Sequence, residues 1–302
     1  MMNIKIRAHE SFFIRKGWLN KGLKNVDRNS RIFNDKNIKP TDELGIGTNM
    51  VKSLRYWLQA VRLTWEDSRR ANAQEFTDLG RLIWQNDRYI EEDGTLWLLH
   101  FSLATNMEQA TAWYWFFNVF KMNEFTKEDF VEGLDSYIRF DLKYEDGVST
   151  KSIEDDFNCI INTYISRAKL NPKKDSPENN IDCPLGELEL LDVLDKRKRV
   201  FKKVTPRKDT IHPIVVLAAI IKQCETEDGD YCEIKISKLL NSECSVGKVF
   251  NLDTLVLSYY LDKLQDMGYL RVIRTAGLDV VKLIKPLTFN ECIQKYYDEI
   301  NN

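Results

Sequence analysis

The sequence predicts a mainly α protein in which winged helix-turn-helix units flank a helical middle domain. Three observations carry this expectation: apolar residues recur at helical spacing, two strand pairs each follow a helix-turn-helix pattern, and one Pro/Asn-rich stretch separates two folded parts. At 302 residues the chain exceeds one comfortable hydrophobic core, so several packed units are expected. The expected division is a winged-helix-like DNA-binding unit over 1–90, a helical middle domain over 91–170, a linker over 171–184 and a second winged-helix-like domain over 185–302.

In the first unit, KGWLNKGLKNV reads as a short helix and RNSRIFNDKNIKPTDELG as a loop with Pro40 and a cap at Thr41. Gly45 and Gly47 then precede a longer amphipathic helix. Val51, Leu54, Leu58 and Val61 form one apolar stripe, and Lys52, Arg55, Gln59 and Arg62 repeat the spacing one residue later. The stripes lie about 100° apart, so one can dock on a core while the other faces out. RLTW, a charged tip and EFTDLGRLIWQ come next, as two strands of a hairpin or a strand running into a short helix. Helix, glycine turn, longer helix and hairpin is the winged helix-turn-helix order.

Residues 93–170 read as all-helical. Trp97, Trp113 and Trp115 crowd among Phe and Leu, the composition of a core or a helix interface; a platform of exposed rings for stacking bases is the alternative. Thr126 and Asp129 make a capping box for the next helix. Beyond the linker NPKKDSPENNIDCP, HPIVVLAAIIKQCE reads as a buried helix, YCEIKI as a strand and SKLLNSE as a helix. NLDTLVLSYYLDKLQDMGY is a longer helix stopped at Gly268, and YLRVIRTAGLDVVKLIKP is two strands around a tip.

With 43% apolar and 30% charged residues the composition excludes a disordered chain. The longest apolar run, Ile214 to Ile221, is too short to span a bilayer, and MMNIKIRAHE holds no apolar signal core, so a cytoplasmic protein without a membrane partner is expected. Six cysteines without a C-x-x-C pair, and three histidines spread along the chain, indicate buried thiols and neither a zinc site nor a disulfide framework. The net charge of −2 hides two basic zones: residues 1–40 carry ten Lys/Arg against three Asp/Glu, and 196–208 carry eight against none. Such zones point to a polyanion partner or to a solvated face.

The glycine turn lacks the third glycine of a dinucleotide fingerprint and the Gly-Lys-Ser/Thr ending of a triphosphate loop. Instead, Gly45 and Gly47 allow a sharp bend, Thr48 can cap the helix, and the free N–H groups of the first turn favour a phosphate oxygen. With Lys52, Arg55, Gln59 and Arg62 on one face, the segment suits a DNA backbone; a solvated helix face accounts for it equally. His9 and Glu10 lie beside basic flanks in which Arg15, Lys16 and Lys21 can hold a phosphodiester. His9 is then an acid or base, or a structural histidine.

Asp230 with Glu233 and Lys235, and Asp135 with Asp141 and Lys143, imitate the acid pairs of a metal-dependent nuclease, but so many acids and lysines produce such spacings by chance. Glu154, Asp155 and Asp156 read as a metal cluster or as dipole complementation at a helix start. Spacing alone names no catalytic centre.

Six stretches, HESFFIRKGWLNKGL, LGIGTNMVKSLRYWL, FTDLGRLIW, DGTLWLLHFSLATN, ATAWYWFFNVF and DCPLGELELL, together resemble a family of bacterial proteins catalogued as a domain of unknown function. Its members are encoded beside cysteine desulfurases and sulfur-transfer enzymes related to phosphoadenosine-phosphosulfate reductases. The resemblance is strong from residue 9 to about 191 and weak beyond. It implies a role in DNA phosphorothioation, where sulfur replaces a non-bridging phosphate oxygen as a mark for phage defence, and specifically the nicking of one strand to open it to sulfur. The implied partners are DNA, the sulfur-transfer enzyme, the cysteine desulfurase and an ATPase of the same system, with magnesium or manganese as the implied helper ion. No family motif assigns catalytic residues. His9, Glu10, Arg15, Lys16, Trp18, Gly45, Gly47, Lys52, Arg55 and Tyr56 carry over as a DNA-facing surface. A non-catalytic adaptor and a winged-helix transcriptional regulator are the alternatives.

Overall fold

A computed structural model describes residues 4–144, 147–170, 182–225, 233–275 and 278–301. The fold is mainly α and packs into two compact units, Met1–Phe116 with Phe120–Val204, and Phe117–Val119 with Thr205–Asn302. Most of the expected linker, 171–181, lies outside the described residues.

The first unit opens with α1 (Trp18–Arg28), which buries Trp18, Leu19, Gly22, Leu23 and Val26 along one stripe. Gly22 lets the helix that carries Leu58 approach: a Cβ there would sit 2.9 Å from Leu58 Cδ1. Helix α2 (Pro40–Leu44) takes Pro40 as its first residue, where the missing N–H costs nothing. Its N-cap is Lys39, without a side-chain hydrogen bond, so Thr41 is inside the helix and does not cap it. Gly45 ends α2 in the left-handed region, φ 59°, as expected of a sharp turn. Helix α3 (Thr48–Ala60) then starts from Gly47, whose φ of −66° any residue can adopt. Thr48 is the first helical residue, one position too late for its hydroxyl to cap; α3 has no side-chain cap.

Strands β1 (Thr64–Asp67) and β2 (Ala73–Phe76) pair antiparallel, Thr64 opposite Phe76, and β2 runs into α4 (Asp78–Asn86). Thr77 caps α4 by accepting from Gly80 N–H.

Next along the chain come helices α5 (Asp93–Ala104), α6 (Thr111–Asn118), α7 (Lys127–Ser136), α8 (Thr150–Tyr164) and α9 (Arg167–Leu170). Every residue of α5 from Gly94 on is buried. The rings of Trp115, Phe116, Phe120, Phe125 and Phe130 pack on one another at centroid distances of 4.8 to 6.4 Å. These aromatics are therefore core, not a platform open to bases. The capping box of Thr126 and Asp129 forms at the start of α7.

The middle of the chain is not purely helical. Strand β3 (Glu124–Phe125) pairs with β5 (Val200–Lys203), which pairs with β4 (Leu191–Asp195), so residues 185–204 fold with the first unit and not with the second. Phe201 draws β5 there by packing on Phe125 and Phe157. The basic run around 196–199 becomes the exposed tip joining β4 to β5.

The second unit comprises α10 (Pro213–Cys224), β6 (Glu233–Lys235), α11 (Ile236–Asn241), α12 (Val246–Val249), α13 (Thr254–Asp266), β7 (Leu270–Thr275), β8 (Leu278–Leu283) and α14 (Phe289–Ile300). Its antiparallel sheet has the order β6-β8-β7. Ile214 to Ile221 is buried, packed against α14, whose Cys292, Ile293, Tyr296 and Tyr297 are also buried. Gly268, φ 74°, stops α13. Cys159, Cys183, Cys244 and Cys292 are free thiols, but Cys224 is disulfide-bonded, a departure from the all-thiol expectation. No helix among the described residues is long and apolar enough to cross a membrane.

Candidate nucleic-acid interface

The polar stripe of α3 is turned inward rather than presented. Tyr56 is buried, and Arg55 is half-buried with its Nε 2.5 Å from Glu66 Oε1 and Nη1 donating to Asn34 at 3.0 Å. Gln59 and Gln74 donate to the same Glu66 oxygen at 2.7 and 2.8 Å. Burial pushes the Glu66 carboxyl up, but the hydrogen bond and charge of Arg55, with the two amides, outweigh it and hold the group below its usual range. Arg62 leaves the helix altogether; at φ 55° it donates from Nη2 to Thr105 O at 2.9 Å. Of the expected cations on this stripe only Lys52 is exposed, 3.9 Å from Glu10. Gly45, Gly47 and Thr48 are also exposed. Lys21 donates to the Leu44 carbonyl at 2.9 Å and so closes the end of α2.

His9 is wholly buried and cannot meet a phosphodiester. Its Nε2 lies 2.6 Å from Asp156 Oδ1, its ring stacks on Trp57 and meets Trp113 edge-on. Arg7 joins the arrangement, its backbone N–H donating to Asp156 and its Nε sitting 2.7 Å from Asp155. Burial raises the Asp156 pKa, against the opposing pull of the His9 hydrogen bond. Helix α8 starts at Thr150 with Ser149 as its cap, so Asp155 and Asp156 lie beyond its first turn. They pin the N-terminal segment instead of complementing a helix dipole. Asp135 pairs with Arg139 one turn along, and Asp230 lies outside the described residues. Among the described residues no three His, Cys, Asp or Glu side chains gather into a group that could hold a metal ion.

Apart from the exposed tip at 196–199, one set of cations gathers along a groove between α1 and the end of α4. One depression of about 260 Å³ is walled by Asn20, Lys24, Asp27, Arg28, Trp84, Arg88 and Tyr89. A narrow cleft shares Asn20 and Tyr89 with it and continues past Arg15, Lys16 and Gly17. Asn20, Lys24 and Arg28 recur every fourth residue, so they form one stripe of α1, opposite its buried face. Arg88 lies face-on over the Trp84 ring at 4.4 Å, and its carbonyl accepts from Asn20. Arg15 sits over Trp18 at 5.4 Å and Phe12 at 5.7 Å. The depression and the cleft are lined by five cations and one carboxylate, Asp27, and Lys16 also borders the acids of the next depression. Beyond Lys16 a further depression of about 490 Å³ is of mixed charge, with Asp182 and Glu187.

Of the residues expected from sequence, the groove gathers Arg15 and Lys16 and leaves out those of α3. Lys24, Arg28, Arg88 and Tyr89 stand outside that expectation. The repeat of Asn20, Lys24 and Arg28 is visible in WLNKGLKNVDR; nothing local marks Arg88 and Tyr89 as its neighbours.

A family model described as "Protein of unknown function (DUF4007)" matches residues 6–297, and the chain belongs to that family. Among solved structures, a magnesium ion-bound SspB crystal structure is similar over 99% of this chain and 89% of that one, with 24% identity and a TM-score of 0.86. A second SspB crystal structure has 23% identity over the same shares of the two chains and a TM-score of 0.84. At such identities the likeness establishes a shared fold. No curated protein matches the sequence significantly.

Proposed function

We propose that the chain is a DNA-binding component of a phosphorothioation-based phage-defence system and nicks one strand so that sulfur can be incorporated. The observation that carries the DNA reading is the groove of the first unit, whose lining gathers Arg15, Lys16, Lys24, Arg28 and Arg88 with Asp27 as its acid. Each cation brought against a phosphate releases a condensed counterion, and fixed guanidinium groups position a backbone without reading its sequence. Support for nicking comes from the six family-like stretches and from the fold shared with SspB. One SspB structure holds magnesium. The described residues gather no three-ligand group, so they do not fit a preformed cage for that ion.

Element order supports winged-helix units. In the second unit α10, β6, α11, α13, β7 and β8, with sheet order β6-β8-β7, run in the helix–strand–helix–helix–hairpin sequence of that motif. In the first, α3 leads into the β1–β2 hairpin. A second reading, an adaptor that docks a protein, is favoured by the face of α13. Leu255 is 74% exposed there, Asp262 and Asp266 are exposed, and Lys263 is tied to Asp209. That surface suits a protein such as the sulfur-transfer enzyme, the desulfurase or the ATPase better than it suits phosphate.

The test is to incubate the full chain with supercoiled plasmid and magnesium or manganese, with and without chelator. Ion-dependent open circles are the expected outcome. No conversion with either ion, alone or with the partner enzymes, would leave the adaptor.

A further inference from the structure

We propose that the groove takes DNA carrying an unpaired base, and that this base stacks on Tyr89. The inference rests on the DNA reading above and deepens it by naming the form of the strand.

Tyr89 is 68% exposed, in a unit whose other aromatic residues are mostly core. Trp65 and Phe140 are also exposed in this unit, but of the three only Tyr89 lines the cationic groove, at the junction of the depression and the cleft. The ring stands on a turn that is fixed before any ligand arrives. The two oxygens of buried Asp87 accept from Glu91 N–H at 3.0 Å and Glu92 N–H at 3.1 Å. Ile90, buried and at φ 58°, closes the same turn with its N–H on the Asp87 carbonyl. Beside it Arg88 sits over the Trp84 ring, its Cζ 4.4 Å from the centroid, a cation–π contact that places its charge next to Tyr89.

A duplex keeps its base faces stacked on one another, so an upright ring meets only sugars and edges. An unpaired base offers a whole face, and every base has one, which makes stacking tolerant of sequence. Cations along one wall and a free aromatic ring at its end are the two parts a single-strand site combines. Lys24 and Arg28, one helical turn apart, supply the first part, and Tyr89 supplies the second. The depression of about 260 Å³ has the scale of a single base, below the roughly 300–1,000 Å³ of drug-sized ligand pockets.

The experiment is fluorescence anisotropy of the full chain with a labelled single-stranded 12-mer and with the same sequence as a duplex, across a range of salt. Tyr89→Ala is expected to weaken the single strand on the order of tenfold while leaving duplex affinity and the salt slope unchanged. Tyr89→Phe is expected to keep wild-type affinity, because the ring and not the hydroxyl does the stacking. Arg28→Ala is expected to weaken both forms and reduce the slope. If Tyr89→Ala leaves single-strand affinity intact, or weakens the duplex equally, while Arg28→Ala still acts, stacking is overturned and DNA binding stands. If the wild type binds neither form, or binds poly-glutamate as well as DNA, the DNA reading fails together with the inference.

Discussion

The Arg55 guanidinium lies on the Glu66 carboxylate, Nε 2.5 Å from Oε1, and ties α3 to the first strand of the β1–β2 hairpin. This one contact decides what the basic stripe of α3 does. Its charge is spent inside the first unit, on an acid that also holds Gln59 and Gln74. Arg55→Ala is expected to lower stability by about 1–3 kcal/mol, because the half-buried Glu66 loses its charged donor. DNA affinity of the same variant should stay within about twofold of wild type. Urea unfolding and a DNA titration of one preparation check both.

His9 and Asp156 make a second internal tie, across 147 positions of sequence. Removing one partner of a buried pair strands the other, so His9→Ala is expected to cost about 3–5 kcal/mol. Asp156→Asn should cost less, because an amide oxygen can still accept from the ring. Equal stability of His9→Ala and wild type in urea would show that the pair holds nothing.

Gly80 sits where α4 begins against the preceding chain, and a Cβ there would lie 2.0 Å from the Leu63 carbonyl oxygen. Gly80→Ala is expected to destabilise by about 1–3 kcal/mol through overpacking. A helix of this kind gains from alanine when exposed, so the sign of the change in urea midpoint reads the contact directly.

His212 caps α10 through Nδ1, which accepts from Ile214 N–H at 3.3 Å. Burial lowers its pKa below the ordinary 6.5, against the pull of Glu299. The unfolded chain therefore binds this proton more readily than the folded one. Stability from the cap is complete above 6.5 and is lost as pH falls through the depressed folded value. His212→Asn keeps a cap that does not titrate. The Tm difference between wild type and His212→Asn should accordingly shift against the wild type between about pH 8 and about pH 5; a constant difference would exclude the linkage.

Much of the fold is legible in the sequence because its signals are local. The stripe of α1, the apolar run of α10, the box of Thr126 and Asp129, and Gly268 after α13 each announce themselves within a few residues. A similar box, Thr288 with Glu291, marks α14 just as locally. What no local signal reveals is the partner across the fold. Lys52, Arg55, Gln59 and Arg62 have the same spacing whether they meet water or a glutamate on a later hairpin. The two-residue strand β3 has no periodicity to detect, and only Phe201, far along the chain, reveals it. The groove is hidden for the same reason: its two walls, α1 and the turn at Arg88 and Tyr89, meet only in the folded unit.

The most direct measurement is the salt dependence of DNA binding by wild type, Lys24→Ala/Arg28→Ala/Arg88→Ala and Arg55→Ala. The triple variant should bind more weakly, with a slope shallower by up to about 0.9 for each phosphate no longer neutralised, while Arg55→Ala keeps the wild-type slope. A triple variant whose affinity and slope equal those of wild type would contradict the groove as the place where this chain holds DNA.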